Sequence, residues 1–431
     1  MTIPPVEPHP KSSLLPAQRV RIDRRVEFSV ILFGLYTSII PINPILNFTG
    51  SGTVNKYLGL LVTGAMLLSI LIMKRPFLLR RDDLPILIYI PFALASYFWS
   101  INQGVTLAET IRFILFIAFA IVLQNKIYTD SEKNFIKLCC IFGSLVVSFY
   151  LISTRNLYYT RALITTSGGQ ATDPNGLSSS IAFGLLFLFD AFFRTKSRIT
   201  MVVTVSLMMV VFFAMLLTGS RGGILGLLFG IAVYLLMSVV KRKYIKARLL
   251  ATIIFIVGLA VLIGTVMVNY LSSDVYQRMT LNSILETGGT GRFAIWENAV
   301  EAAYERAIIG YGFGAGPYVL EHFYGTFAGT HNDILFTLLG TGVIGCGLLA
   351  LFLWNILKTS YRKNDILSVA MLTMVIMFSL SLDYLLNKNL WNVVVYAQIG
   401  LGIVGNARGA RLKSEPGKEL AIQKQQLSSR M

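Results

Sequence analysis

Charge is scarce in this sequence. Only 14% of its 431 residues are Asp, Glu, Lys or Arg, against about 25% in an ordinary soluble domain. The acidic sign is the scarcer, with 21 Asp and Glu facing 38 Lys and Arg. Together with 55% hydrophobic residues and a mean hydropathy of +0.66, this excludes a soluble enzyme, a disordered chain and a fibrous protein. Cysteine is nearly absent: Cys139, Cys140 and Cys346 lie inside apolar runs, without the spacing of a zinc site or a disulfide framework. They read as small packing residues. The first 25 or so residues (about one tail's length) lack an apolar core, so they read as a basic tail and not as a cleavable signal peptide. No internal repeat is visible, nor an inverted pair of interrupted spans of the transporter type.

Long apolar runs are what the chain has in abundance. A span needs about 20 mostly apolar residues, and about 12 candidates follow one another: 28–46, 57–73, 84–100, 105–124, 135–153, 177–193, 199–217, 222–240, 249–270, 332–357, 366–386 and 390–405. The expected fold is therefore an all-α, polytopic transmembrane helical bundle. Its expected organisation is a cytoplasmic basic tail (1–27), spans one to nine (28–270), a large outer loop (271–330), spans ten to twelve (331–405) and a second basic tail (406–431).

With the N-terminus inside, the inner loops and tails hold about 29 of the 38 Lys and Arg residues. That alternation supports both the span count and the orientation. It also accounts for the net charge of +17 without nucleic acid, because the excess faces anionic lipid.

The outer side carries the polar oddities. Long connections tend to carry function, and two stand out, 155–176 and 271–330. Within the second, Phe293, Trp296, Val300 and Tyr304 recur at helical spacing, which predicts an amphipathic helix over 292–307 lying on or near the membrane surface. Five clusters can meet at the outer leaflet: Thr172-Asp173-Pro174-Asn175-Gly176, Thr218-Gly219-Ser220-Arg221-Gly222-Gly223, Gly288-Gly289-Thr290-Gly291-Arg292, Gly310-Tyr311-Gly312-Phe313-Gly314 and Thr330-His331-Asn332-Asp333.

Arg221 begins a Gly-rich span, and an arginine at such depth is costly unless paired, which marks a site. Gly222, Gly226 and Gly230 have the spacing of close helix packing. Arg292 opens the amphipathic helix, where a guanidinium and helix-terminal amides can hold phosphate oxygens; a surface charge is the plainer reading. His331, one of three histidines, stands at a span entrance as a candidate general base. Asp173 is an alternative base or orienting group, although Asp-Pro-Asn-Gly is also a strong turn signal. Glu109 and Arg112 share a helix face and either neutralise one another or line a polar cavity. The Gly-Tyr-Gly-Phe-Gly run lacks the flanking strand and Lys of a phosphate loop, so it reads as a flexible turn returning the loop to the membrane.

The segment His331-Asn332, followed after nine residues by Gly342-Val343-Ile344-Gly345, resembles the signature of the bacterial O-antigen ligase and Wzy-type polysaccharide polymerase superfamily. A Ser-Arg-Gly-Gly opening a span, a Gly-Arg helix start and a Gly-Tyr-Gly turn ahead of the histidine stand around it in matching order. The chain looks most like exopolysaccharide polymerases of the ExoQ type. Cys346 stands where ligases tend to show Thr or Val, a departure from the ligase pattern.

The resemblance implies a multi-pass protein of the bacterial inner membrane whose site faces the periplasm or exterior. It implies a glycosyltransferase that moves oligosaccharide from undecaprenyl diphosphate to an acceptor glycan, by an inverting, metal-independent route without cofactor. The lack of a credible outer carboxylate cluster for a divalent ion fits that expectation. A polymerase is the first expectation and an O-antigen ligase the alternative. By motif, Arg221 and Arg292 would bind the lipid diphosphate and His331 would activate the acceptor hydroxyl. Asp173, Asn175, Ser220, Tyr311 and Asn332 are the expected substrate-binding residues around them. A flippase and a chain-length regulator would be partners.

Two other classes fit less well. A transporter would place ionisable groups near span midpoints, where only Glu109 and Arg112 qualify. A serine protease built on Ser220 and His331 would leave Arg221 without a role.

Overall fold

The computed structural model describes residues 26–46, 53–154, 164, 172–241 and 291–401. Among them the regular structure is helical throughout, and the chain is a polytopic helical membrane protein. The helices in chain order are α1 (Phe28–Leu46), α2 (Thr53–Ile72), α3 (Leu84–Ala95), α4 (Gln103–Gln124), α5 (Asp130–Thr154), α6 (Pro174–Arg194), α7 (Arg198–Leu217) and α8 (Arg221–Lys241). There follow α9 (Arg292–Glu305), α10 (Gly316–Tyr324), α11 (Asp333–Arg362), α12 (Ile366–Ser379) and α13 (Lys388–Ile399). Eight of them, α1, α2, α4 to α8 and α11, are long and apolar enough to cross a bilayer. The expected span 249–270, the two tails, most of 155–171 and the first part of the long outer loop, to 290, lie outside the described residues.

Packing follows residue size. Side chains such as Leu68, Leu71, Phe142, Phe149 and Leu225 are exposed around the bundle, as an apolar belt facing lipid should be. Inside, Trp391 lies among Phe113, Phe116 and Phe352, tying α13 to α4 and α11. The glycine stripe of α8 behaves as its spacing predicts. A methyl group at Gly222, Gly226 or Gly230 would run into Ser381, Phe378 or Met374, so side chains from the α12 side of the bundle seat directly on the α8 backbone.

One end of the bundle is closed by buried polar networks. Asp190 receives Lys137 Nζ at 3.3 Å, Arg194 Nε at 2.7 Å and the Tyr234 hydroxyl at 2.9 Å. Asp83 accepts the side-chain amides of Gln124 and Gln398, and Lys126 bridges Glu27 and Glu132. These residues come from the basic segments expected on the inner side and from the spans that adjoin them.

Two expectations are corrected. The run 366–386 is not one span: α12 stops at Ser379 after 14 residues, and α13 begins at Lys388 and runs for 12. At 1.5 Å per residue each covers about 20 Å, so the connection 380–387 is recessed relative to the ends of full spans of about 30 Å. Irregular backbone at such depth persists only where protein or a polar cavity satisfies it.

The amphipathic helix exists as α9, with two distinct sides. Ala299, Ala302 and Ala303 are buried against α10 and α11, whereas Phe293, Val300 and Tyr304 are exposed. Small residues permit the close approach, and the bulky stripe is left to meet lipid or solvent.

The Gly-Tyr-Gly-Phe-Gly run is not a loose turn. Helix α11 breaks at Gly342 (φ 63°, ψ −164°), and the run fits against the break. Tyr311 and Gly312 donate their amides to Leu339 O (2.7 Å) and Gly340 O (2.9 Å), and Val343 donates to Ala307 O (2.8 Å). Backbone groups freed by the break are thus satisfied by the incoming loop.

Candidate active site

The recessed segment 380–387 is the hub on which the candidate residues converge. From one direction Arg292, the first residue of α9, donates Nη1 to Ser381 O at 2.8 Å. Gly291 ahead of it sits at φ 80°, a left-handed conformation that glycine adopts without strain. From another direction comes the start of α8, where Gly222 packs on the Ser381 side chain. Arg221, half-buried, is the residue next to that contact. Arg292 and the helix start that carries Arg221 therefore meet at one serine.

From a third direction comes the entrance of α11. Asp383 accepts the Thr330 hydroxyl at 3.1 Å and the Asn332 amide at 3.2 Å through Oδ1. Its Oδ2 lies 3.7 Å from Nδ1 of His331, with both side chains partly open to solvent. His331 has φ 48°, an uncommon backbone conformation for a non-glycine residue. The carboxylate clasp on both neighbours of His331 holds it there, and strain of this kind persists only where the surroundings over-determine it.

Asp333 completes the clasp from beneath. It is buried, and its Oδ1 accepts the amides of Tyr384 (2.6 Å) and Leu385 (2.8 Å). Consecutive α11-entrance residues thus fix the hub loop twice, once through Asp383 and once through Asp333.

The other sequence-derived residues have structural contacts. Asp173 caps α6, accepting the amides of Asn175 and Gly176. Ser220 is buried and caps α8 through the Gly223 amide, while its hydroxyl donates to Asn175 Oδ1 at 2.8 Å. The 173–176 turn is thereby tied to the element that carries Arg221. Asn332 caps α11 through the amides of Ile334 and Leu335. Tyr311 is turned away from the hub: it is buried, and its hydroxyl donates to Ala302 O (3.0 Å) and Glu305 Oε2 (3.2 Å). Burial and the neighbouring Glu305 carboxylate push its phenol up to about 12, so it acts as a neutral donor.

Glu109 and Arg112 do line a cavity, paired at 3.4 Å. Gly314 presses on the Glu109 side chain. Lys388, Asp333 and Asp383 line the same cavity. Among the described residues no three His, Cys, Asp or Glu side chains gather as metal ligands would.

Sequence reasoning missed Asp383 and Lys388. The signal for Asp383 was available: a lone carboxylate in an apparent span is a site until shown otherwise. It was hidden because the run around it reads as continuous hydropathy.

Comparison with protein families places a match to the O-antigen ligase family model (Wzy_C) at residues 206–350. Arg221, Arg292 and His331 lie within that stretch; Arg112, Asp173, Asp383 and Lys388 lie outside it. No curated protein matches the chain.

Proposed function

We propose, from the match of residues 206–350 to the O-antigen ligase family model, that the chain is a glycosyltransferase acting on a glycan carried by undecaprenyl diphosphate at the outer face of the bacterial inner membrane. The observation that carries the proposal is the convergence of Arg292, the Arg221 end of α8 and the His331–Asp383 pair on the single loop 380–387.

The roles follow from position. Arg292 and Arg221 hold the diphosphate and balance the charge that gathers on its oxygens as it departs. Nδ1 of His331 faces Asp383, which leaves Nε2 to take the proton of the acceptor hydroxyl. The acceptor oxygen attacks the anomeric carbon of the donor sugar and the carbon–oxygen bond to the diphosphate breaks. The lipid diphosphate leaves as the anion. One displacement of this kind inverts the anomeric centre and needs mainly orientation and charge stabilisation from the protein. An apolar groove of about 370 Å³ between α11 and α12, lined by Ile334, Cys346, Leu353, Trp354, Ile376 and Leu380 with Asp333 at its polar end, gives the polyprenyl chain a place beside the site.

We favour a polymerase that extends an exopolysaccharide, supplied by a flippase and paced by a chain-length regulator. A ligase would use the same donor chemistry once, on a lipid-core or other acceptor. The deciding experiment gives full-length protein in nanodiscs an undecaprenyl-diphosphate-linked repeat unit with EDTA present, and reads products by mass spectrometry. A ladder of multiples, lost in His331→Asn, supports the polymerase. Transfer only when a lipid-core acceptor is added supports the ligase, and no transfer in either case overturns the proposal.

A further inference from the structure

A second polar feature adjoins the hub and is not used by the mechanism above. A cavity of about 420 Å³ lies between α4, the 314–317 stretch, the start of α11 and the 383–388 stretch, and neither Arg221 nor Arg292 lines it. Asp383 does, so the cavity opens onto the residue that faces His331.

Its charges are unevenly engaged. The three carboxylates all have partners: Glu109 pairs with Arg112 at 3.4 Å, Asp333 accepts two backbone amides, and Asp383 is committed to Thr330, Asn332 and His331. Lys388 has no hydrogen-bond or ion-pair partner among the described residues. Its charged neighbour is Arg112. Arg112 is itself more than half exposed, at 55%, and meets Glu109 through one nitrogen only, which leaves most of its five donors for a ligand. Two cations lining one partly apolar space, beside Phe116 and Phe336, repel unless an anion enters between them.

We propose that Arg112 and Lys388 bind an acidic substituent, a carboxylate or a phosphate ester, on the acceptor saccharide, and so select which acceptors reach His331. This rests on the reading of His331 as the base, because a saccharide whose hydroxyl meets Nε2 brings a neighbouring sugar unit within reach of the cavity that Asp383 lines. The donor diphosphate is held elsewhere, by Arg221 and Arg292. Glu109 pairs with Arg112 where an incoming anion takes over.

The test reads binding without any donor, on full-length protein in nanodiscs of zwitterionic lipid. Two trisaccharide probes are used, one ending in glucuronate and its counterpart with that carboxyl reduced to the alcohol. A third probe ending in a sugar phosphate separates the two acid chemistries, and preference for either supports the site. Wild type should bind the acidic probe about tenfold more tightly than the neutral one, the size of a charge-assisted contact. Lys388→Gln and Arg112→Gln should each bring the two affinities together, and Lys388→Arg should keep them apart. Equal affinities in wild type, or a preference that survives both glutamine variants, would overturn the proposal. So would loss of the preference when phosphatidylglycerol is added to the disc, which would assign the cations to a lipid headgroup. Failure of this binding ratio leaves the role of His331 standing, whereas a protein that prefers the acidic probe but makes no product fails only as a transferase.

Discussion

The Asp383 carboxylate holds the chain on both sides of His331, accepting the Thr330 hydroxyl and the Asn332 amide through one oxygen while the other lies 3.7 Å from the imidazole. The same group therefore fixes the backbone of the proposed base and lies beside its ring. This joint role makes position 383 as informative as position 331.

His331→Asn should remove transfer while preserving the fold, because asparagine tolerates the left-handed backbone that His331 adopts. A general base contributes about 10²- to 10⁴-fold in rate, so product formation in the nanodisc assay should fall by at least the lower figure. Asp383→Asn should lower kcat on the order of tenfold to a hundredfold with little change in KM for donor. An active Asp383→Asn enzyme with a weakened donor KM would instead place Asp383 among the donor contacts.

Arg292→Lys and Arg292→Ala distinguish fork geometry from charge. Lysine keeps the charge but loses the planar set of donors that can serve Ser381 O and a phosphate oxygen together. Both variants should raise donor KM, alanine more strongly. A charge-assisted hydrogen bond of about 1.5–3 kcal/mol corresponds to roughly tenfold or more. Unchanged donor kinetics in Arg292→Ala would reduce Arg292 to a structural clamp on the hub.

Gly342→Ala should destabilise the protein without touching any proposed site residue. The residue sits at φ 63°, and a methyl group there would strike the carbonyls of Ala307 and Ile308. Backbone strain alone costs about 1–3 kcal/mol, and the collision adds to it. Thermal unfolding in detergent, followed by tryptophan fluorescence, should show a lowered midpoint.

Gly226→Val should push α8 away from Phe378. Overpacking costs about 1–3 kcal/mol. Since Arg221 opens the same helix, donor KM should rise along with the loss of stability. Gly347→Ala is a matched control, because nothing lies within 4 Å of its added methyl.

Tyr311→Phe should reduce stability by about 1 kcal/mol at neutral pH through loss of its hydrogen bonds, while transfer activity persists. The sign of the pH effect is set by its raised phenol. Folding favours the neutral form, so this contribution is complete below pH 10 and declines as pH climbs from the ordinary value of 10.0 towards about 12. Stability curves of wild type and Tyr311→Phe should therefore converge at high pH.

Much of the architecture was legible before any coordinates. Uninterrupted hydropathy located the helices, and the stripe Gly222, Gly226, Gly230 announced a close contact although not its partner, which is α12. What misled was hydropathy where it ran on across a change in backbone. The 366–386 run is apolar on both sides of Asp383, so nothing in its average marks the loop at 380–387. In α9 the larger side chains form the outward stripe that the sequence announced, while the alanines allow the nearer approach and form the side packed on the protein.

The sequence by itself determined that the chain lives in a membrane, that its apolar helices succeed one another, and that Arg221, Arg292 and His331 are chemically out of place in such a chain. Those are properties of composition and order, and burial in lipid enforces them residue by residue. Only the tertiary structure decided that Ser381, Asp383 and Lys388 stand among them. Two short helices meeting within the bundle bring distant segments to one recess, and that meeting depends on which helices pack together, a relation that no local stretch of sequence contains.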